Sequence, residues 1–208
     1  MSSGAIKLGI LLSGGGRTML NLAEKIQAGR LEAEIACVIS SRSEVAGVPL
    51  ARGLGVEPVI LRRREFADVG AFSGRIIEVM EAAGVDLICQ CGWLCFWEIP
   101  PSWADKVVNI HPSLLPKFGG KGMWGHHVHE AVLAAGEAIS GCTVHFVTNQ
   151  YDAGPIILQR TCPVQAGDTA DTLAARVFEQ ECIAYPEAIR LYREKRLKVV
   201  EGKVVVKS

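Results

Sequence analysis

With 208 residues, 49% of them hydrophobic and 21% charged, the chain suits one domain, or one with a small appendage, and can bury a large core. Lys and Arg together number 22, as do Asp and Glu, and this zero formal charge argues against a nucleic-acid binder, which carries a basic face. Apolar runs fall short of the ~20 residues that span a bilayer, Met1 to Lys7 carries no targeting pattern, and seven cysteines without framework spacing fit free thiols in a reducing, cytoplasmic setting.

Ile6 to Leu12 is an apolar run broken only by Lys7, the pattern of a strand buried on both faces, and Ser13-Gly14-Gly15-Gly16 ends it. Met19 to Ala28 reads as a helix, Ala33 to Ser40 as a second strand, and Val45 to Leu54 as a helix closed by Gly55. Glu57 to Leu61 is a third strand, followed by Arg62, Arg63 and Arg64, a basic run that reads first as solvated surface. A helix is expected over Val69 to Ala83, a fourth strand over Asp86 to Cys91, and a fifth over Lys106 to Ile110. Residues 111 to 127 form a Pro/Gly-rich loop, and ordered loops of that length usually carry function. Val128 to Ala135 is a helix, and Gly141 to Thr148 and Pro155 to Pro163 are strands around a turn at Asn149 to Gly154. Helical pattern then runs from Thr169, a good N-cap, to Lys195, with Pro186 expected to kink or divide it. Lys198 to Val206 reads as a short hairpin turning at Glu201-Gly202.

The repeated βαβ pattern predicts an α/β fold: a doubly wound, mostly parallel, Rossmann-like sheet with a mixed C-terminal part. The expectation is a single domain over 1–208, with an N-terminal half of about 1–108 and a C-terminal half of about 109–208. Ligands of such sheets sit at the carboxyl ends of strands, which directs attention to the segments after Leu12, Cys91 and Ile110.

The first of these, Gly14-Gly15-Gly16-Arg17-Thr18, opens a helix. Glycines allow a sharp turn and bring backbone N–H groups near an anion, and the helix N-terminus adds a favourable dipole. The dinucleotide fingerprint fails, because Met19 stands where a third glycine is needed and Ser40-Ser41 where an acid is needed. A phosphate monoester fits this loop better than NAD, and a tight turn without a ligand is the plainer alternative.

Val107-Val108-Asn109-Ile110-His111-Pro112-Ser113 puts Asn109 and His111 two residues apart at a strand end, on one face. The pair supplies two donors that can aim at one oxygen, as a tetrahedral oxyanion requires. Asp152 reads from its neighbours simply as a turn-forming residue. Two clusters invite a metal reading. Cys89, Cys91 and Cys95 have no second Cys/His pair at zinc spacing, and His126, His127 and His129 lack an acid at ligand spacing, so no metal is expected.

Asn109-Ile110-His111-Pro112-Ser113-Leu114-Leu115-Pro116 resembles the signature of the folate-dependent formyltransferases. Val144-His145-Phe146-Val147, leading to Tyr151-Asp152-Ala153-Gly154-Pro155, resembles the second block of that family, and Ser13-Gly14-Gly15-Gly16 its glycinamide ribonucleotide branch. The likeness runs from about Ile6 to Lys195. It implies transfer of the formyl group of 10-formyltetrahydrofolate, as co-substrate, to the amine of 5-phosphoribosylglycinamide in purine synthesis. It implies Asn109, His111 and Asp152 as the catalytic trio, the loop from Gly14 to Thr18 as the seat of the substrate phosphate, and Glu181 as a ribose contact. Leu94, Cys95, Phe96 and Trp97, with Asn109 and the Asp152 loop, would meet the folate. The family usually has Arg or Lys where Cys95 aligns, and Arg62 to Arg64 stand where some members hold the folate's tail. The partners implied are small molecules, with neither nucleic acid nor membrane, for a monomer or homodimer. Alternatives are a formyltetrahydrofolate hydrolase, a formyltransferase acting on another amine, and a folate-binding relative without turnover.

Overall fold

The computed structural model describes residues 4–207, so the beginning of the Met1 to Lys7 stretch lies outside the described residues. The chain divides into two compact units, Met1–Val108 and Asn109–Ser208.

In the first unit, β1 (Ile6–Leu12) is a central strand and all but one of its residues are buried. It pairs in parallel with β2 (Ala33–Ser40) on one side and β4 (Leu87–Gln90) on the other, and β2 pairs in parallel with β3 (Val59–Ile60), giving the order β3-β2-β1-β4. β3 is shorter than the expected Glu57 to Leu61 because Pro58 has no N–H to give a ladder, so pairing starts only at Val59. The connecting helices are α1 (Arg17–Gln27), α2 (Gly47–Gly53) and α3 (Val69–Ala82). On α3, Phe72, Ile76 and Met80 recur at helical spacing and are fully buried, while the Asp68 side chain caps the helix by accepting from the Ala71 N–H at 2.7 Å.

β5 (Val107–His111) begins in the first unit and ends in the second. The second unit continues with α4 (His126–Ala134), β6 (Ile139–Phe146) and β7 (Ile156–Pro163), in the sheet order β5-β6-β7. β6 and β7 are antiparallel, with a bulge where His145 pairs with Ile156. The fold is therefore α/β with a mostly parallel, mixed sheet, as expected. β8 (Leu197–Val200) and β9 (Lys203–Val206) form the expected hairpin, with Glu201 and Gly202 at positive φ in its turn.

α5 (Ala170–Arg193) is not divided at Pro186 but runs through it as one helix. Proline deletes a single backbone N–H, and the buried Ala184, Tyr185, Ala188 and Ile189 around it hold the helix by packing. Among the described residues, no helix is long and apolar enough to cross a membrane.

The start of α5 carries a titratable clamp. Thr169 and Thr172 form a reciprocal capping box, and the Asp168 carboxylate accepts from both terminal nitrogens of Arg176 (2.7 and 2.9 Å) and from the Gln165 N–H (2.8 Å). The Arg176 guanidinium, then the Gln165 N–H, hold this carboxyl far below the usual carboxylate range. A depressed folded-state pKa stabilises the fold above the unfolded value of ~4, and that contribution disappears as pH falls toward the folded value. Asp168→Asn is thus expected to lower Tm at neutral pH, with the gap to wild type narrowing below pH ~4 in melts followed by circular dichroism. A gap independent of pH would contradict this assignment.

Candidate active site

The end of β5 carries Asn109 and His111 on one face, with Val108 and Ile110 buried on the other. The turn after β6 returns Asp152 to them. Asp152 adopts φ 51°, the left-handed conformation that Asp tolerates better than most residues. Its carboxylate is 14% exposed, with Oδ2 lying 3.6 Å from His111 Nδ1 and accepting from the Gly120 N–H at 2.8 Å. Oδ1 lies 3.7 Å from His145 Nε2. The three residues expected at the site are therefore brought together, and a fourth, His145, joins them.

Main-chain carbonyls fix both histidines. His111 Nε2 is 2.8 Å from the Phe118 carbonyl, which can only accept, so this nitrogen carries a proton and Nδ1 faces Asp152. His145 Nδ1 is 2.8 Å from the Phe146 carbonyl, and its Nε2 is 3.2 Å from Asn109 Nδ2. Burial pushes His145 below the ordinary histidine range, against the opposing pull of the Phe146 carbonyl and Asp152.

The long loop after β5 is held from below by a polar network. The Thr143 hydroxyl donates to the Ser113 carbonyl at 2.7 Å and accepts from the Leu115 N–H at 3.0 Å. The Gln159 amide bonds both the Thr143 oxygen (2.8 Å) and the Leu115 carbonyl (3.0 Å). These bonds set the path that delivers the Phe118 carbonyl to His111 and the Gly120 N–H to Asp152. The three clustered histidines go separate ways. His126 lies 3.4 Å from Asp171, His127 lies 3.4 Å from Glu130, and His129 is buried, which pushes its imidazole down to about 4.

In the first unit, Gly16 sits at φ 75° as the N-cap of α1, and a side chain there would press on the Gly47 backbone at 2.8 Å. Gly14 accepts from the Gly47 N–H, and Arg17 and Thr18 open the helix. Ser13 has a role the sequence did not assign. Its hydroxyl accepts from Ser41 (2.7 Å) and from the Leu94 N–H (2.9 Å), tying the glycine loop to the 94–97 segment. In that segment Leu94 and Phe96 are exposed, Cys95 is half-buried and Trp97 is buried. A cavity of about 490 Å³ lies beside Arg42 and Arg62 to Arg64. Arg62 is spent on Ser43 (2.7 Å) and Glu65 (2.8 Å), and Arg63 on the Phe66 carbonyl (3.1 Å), while Arg64 is exposed. Glu181 lies on α5 in the second unit.

His145 and Ser13 were missed because each falls inside a motif read for its neighbours. For His145 a signal was present: strand alternation puts Thr143 and His145 on one face of β6, an unusual place for two polar side chains unless they meet partners.

The family described as formyl transferase matches residues 6–189. A chloroplastic phosphoribosylglycinamide formyltransferase of Vigna unguiculata is 36% identical over 92% of this chain, which spans 62% of that protein. A phosphoribosylglycinamide formyltransferase of Haemophilus influenzae is 31% identical, with 97% of each chain covered. The crystal structure of glycinamide ribonucleotide transformylase 1 from Symbiobacterium toebii superposes with a TM-score of 0.92 at 36% identity, covering 100% of this chain and 96% of that one.

Proposed function

Because this chain belongs to the formyl transferase family, we propose that it transfers the formyl group of 10-formyltetrahydrofolate to the amine of 5-phosphoribosylglycinamide. The observation that carries this reading is the convergence of Asn109, His111 and Asp152, with Asp152 Oδ2 3.6 Å from His111 Nδ1 in a mostly buried setting.

The substrate amine attacks the formyl carbon, and negative charge develops on the former carbonyl oxygen. Asn109 donates an amide N–H to that oxygen. His111 has one N–H committed to Phe118, so Nδ1 is its position for proton traffic, and a positive ring there faces both Asp152 and the developing charge. Asp152 accepts the proton that the attacking nitrogen sheds and passes it, directly or through water, to the departing folate nitrogen, so atoms and charge balance. Binding the two substrates together removes much of the entropic barrier. The loop from Gly14 to Thr18 takes the substrate phosphate and Glu181 the ribose. Leu94, Cys95, Phe96 and Trp97 meet the pterin, and the exposed Arg64 is the arginine of its run free to reach the folate's tail. The halves 1–108 and 109–208 then correspond to phosphate binding and catalysis.

The test mixes the full chain with 10-formyltetrahydrofolate, with and without glycinamide ribonucleotide. Tetrahydrofolate released only when the amine is present is the expected result. Release without it points to the hydrolase, and no release at all to a binder without turnover.

A further inference from the structure

Primary amides are ambivalent, since one end donates and the other accepts. An oxyanion tolerates only the donor end, so something must fix which way Asn109 points. From the hydrogen bonds at the end of β6 we infer that His145 is a positioning residue that selects the donor face of the Asn109 amide. This rests on the formyl-transfer reading above.

The argument is one of elimination among protons. The Phe146 carbonyl can only accept, so His145 Nδ1, 2.8 Å away, must carry a hydrogen. In a neutral ring Nε2 is then a bare acceptor. Asn109 Nδ2, 3.2 Å from it, can only donate, and the two requirements meet in a single tautomer. The second N–H of the same amide is left for the reacting oxygen, while Oδ1 is turned away. Reversing the amide would set Oδ1 against Nε2. Both ring nitrogens would then need protons, placing a cation in a side chain only 2% exposed. The Asp152 carboxylate, 3.7 Å from Nε2, and His111 are the other charged or titratable groups facing the ring. Burial outweighs the attraction of Asp152 and keeps the ring neutral.

One backbone feature keeps the ring's partner in place. The Phe146 carbonyl occupies the space a side chain at Gly154 would need, so only glycine lets that carbonyl stay in place.

The test separates the two ends of the imidazole. In His145→Asn the shorter amide can still donate to Phe146 but cannot reach Asn109. In His145→Gln the longer amide restores an acceptor near the Nε2 position. His145→Asn is expected to lower kcat by about 10–10²-fold, less than loss of the whole oxyanion donor, with KM values little changed, and His145→Gln to recover most of that loss. In an Asn109→Ala background, His145→Asn should cause little further loss. Equal losses in both backgrounds would overturn the inference, as would unchanged kcat in His145→Asn. Histidine ¹⁵N NMR of the wild-type chain provides a readout that needs neither a variant nor activity: His145 should be neutral with its proton on Nδ1 near neutral pH. An imidazolium or the opposite tautomer overturns the inference whatever the assay gives. Absence of formyl transfer by wild type, with the Nδ1–H tautomer present, would instead sink the proposed function and leave the hydrogen-bond assignment standing.

Discussion

Asn109→Ala is expected to lower kcat by about 10²–10³-fold, the usual cost of removing one preorganised oxyanion donor, while the KM values for both substrates change little. The reasoning is geometric. His111 donates its Nε2–H to the Phe118 carbonyl and directs Nδ1 at Asp152. The Asn109 amide, with one N–H on His145, keeps a second for the reacting oxygen. Alanine removes that donor and also strips His145 Nε2 of its partner. Asn109→Asp should be at least as damaging, because a carboxylate there would oppose both the oxyanion and Asp152. Saturation kinetics with both substrates give the split, and a kcat within tenfold of wild type for the alanine variant would remove Asn109 from the proposed role.

Much of this arrangement is legible in the sequence, and the parts that are not share a cause. Apolar runs such as Ile6 to Leu12, broken only by Lys7, mark central parallel strands, and β1 has those bounds. Thr169 was recognised as an N-cap because capping is a local interaction, written within a few residues. Asn109 and His111 were legible because two residues of strand spacing suffice to place them on one face. Asp152 was different: its own neighbours describe only a turn, and family resemblance was needed to raise it above that. His145, the Phe118 carbonyl and the Gly120 N–H were not legible, since their importance depends on contacts across the β5 loop and the β6–β7 turn. Backbone groups leave no residue-type signature at all. α5, undivided at Pro186, shows the opposite case, where proline's tendency to end a helix yields to buried packing on either side of it.

Asp152→Asn is expected to reduce kcat by about 10²–10⁴-fold, the span typical of a positioned acid–base group, with a near-native Tm. The amide is nearly the same size and can still accept from the Gly120 N–H through its oxygen, so the turn should persist. It cannot take up a proton at catalytic rates, and its NH₂ would face a histidine nitrogen where a negative oxygen now stands. Asp152→Ala removes the group and leaves room. If the carboxylate moves a proton, acetate or formate added to the alanine variant should restore part of kcat in proportion to its concentration. Added to the asparagine variant, where the space is filled, the same anions should do nothing. If Asp152 served only to hold the Gly120 turn, neither variant would respond, and both would lose thermal stability in step with activity. Rescue confined to the alanine variant is therefore the result that assigns proton transfer to Asp152, and kcat within tenfold of wild type in Asp152→Asn would contradict it.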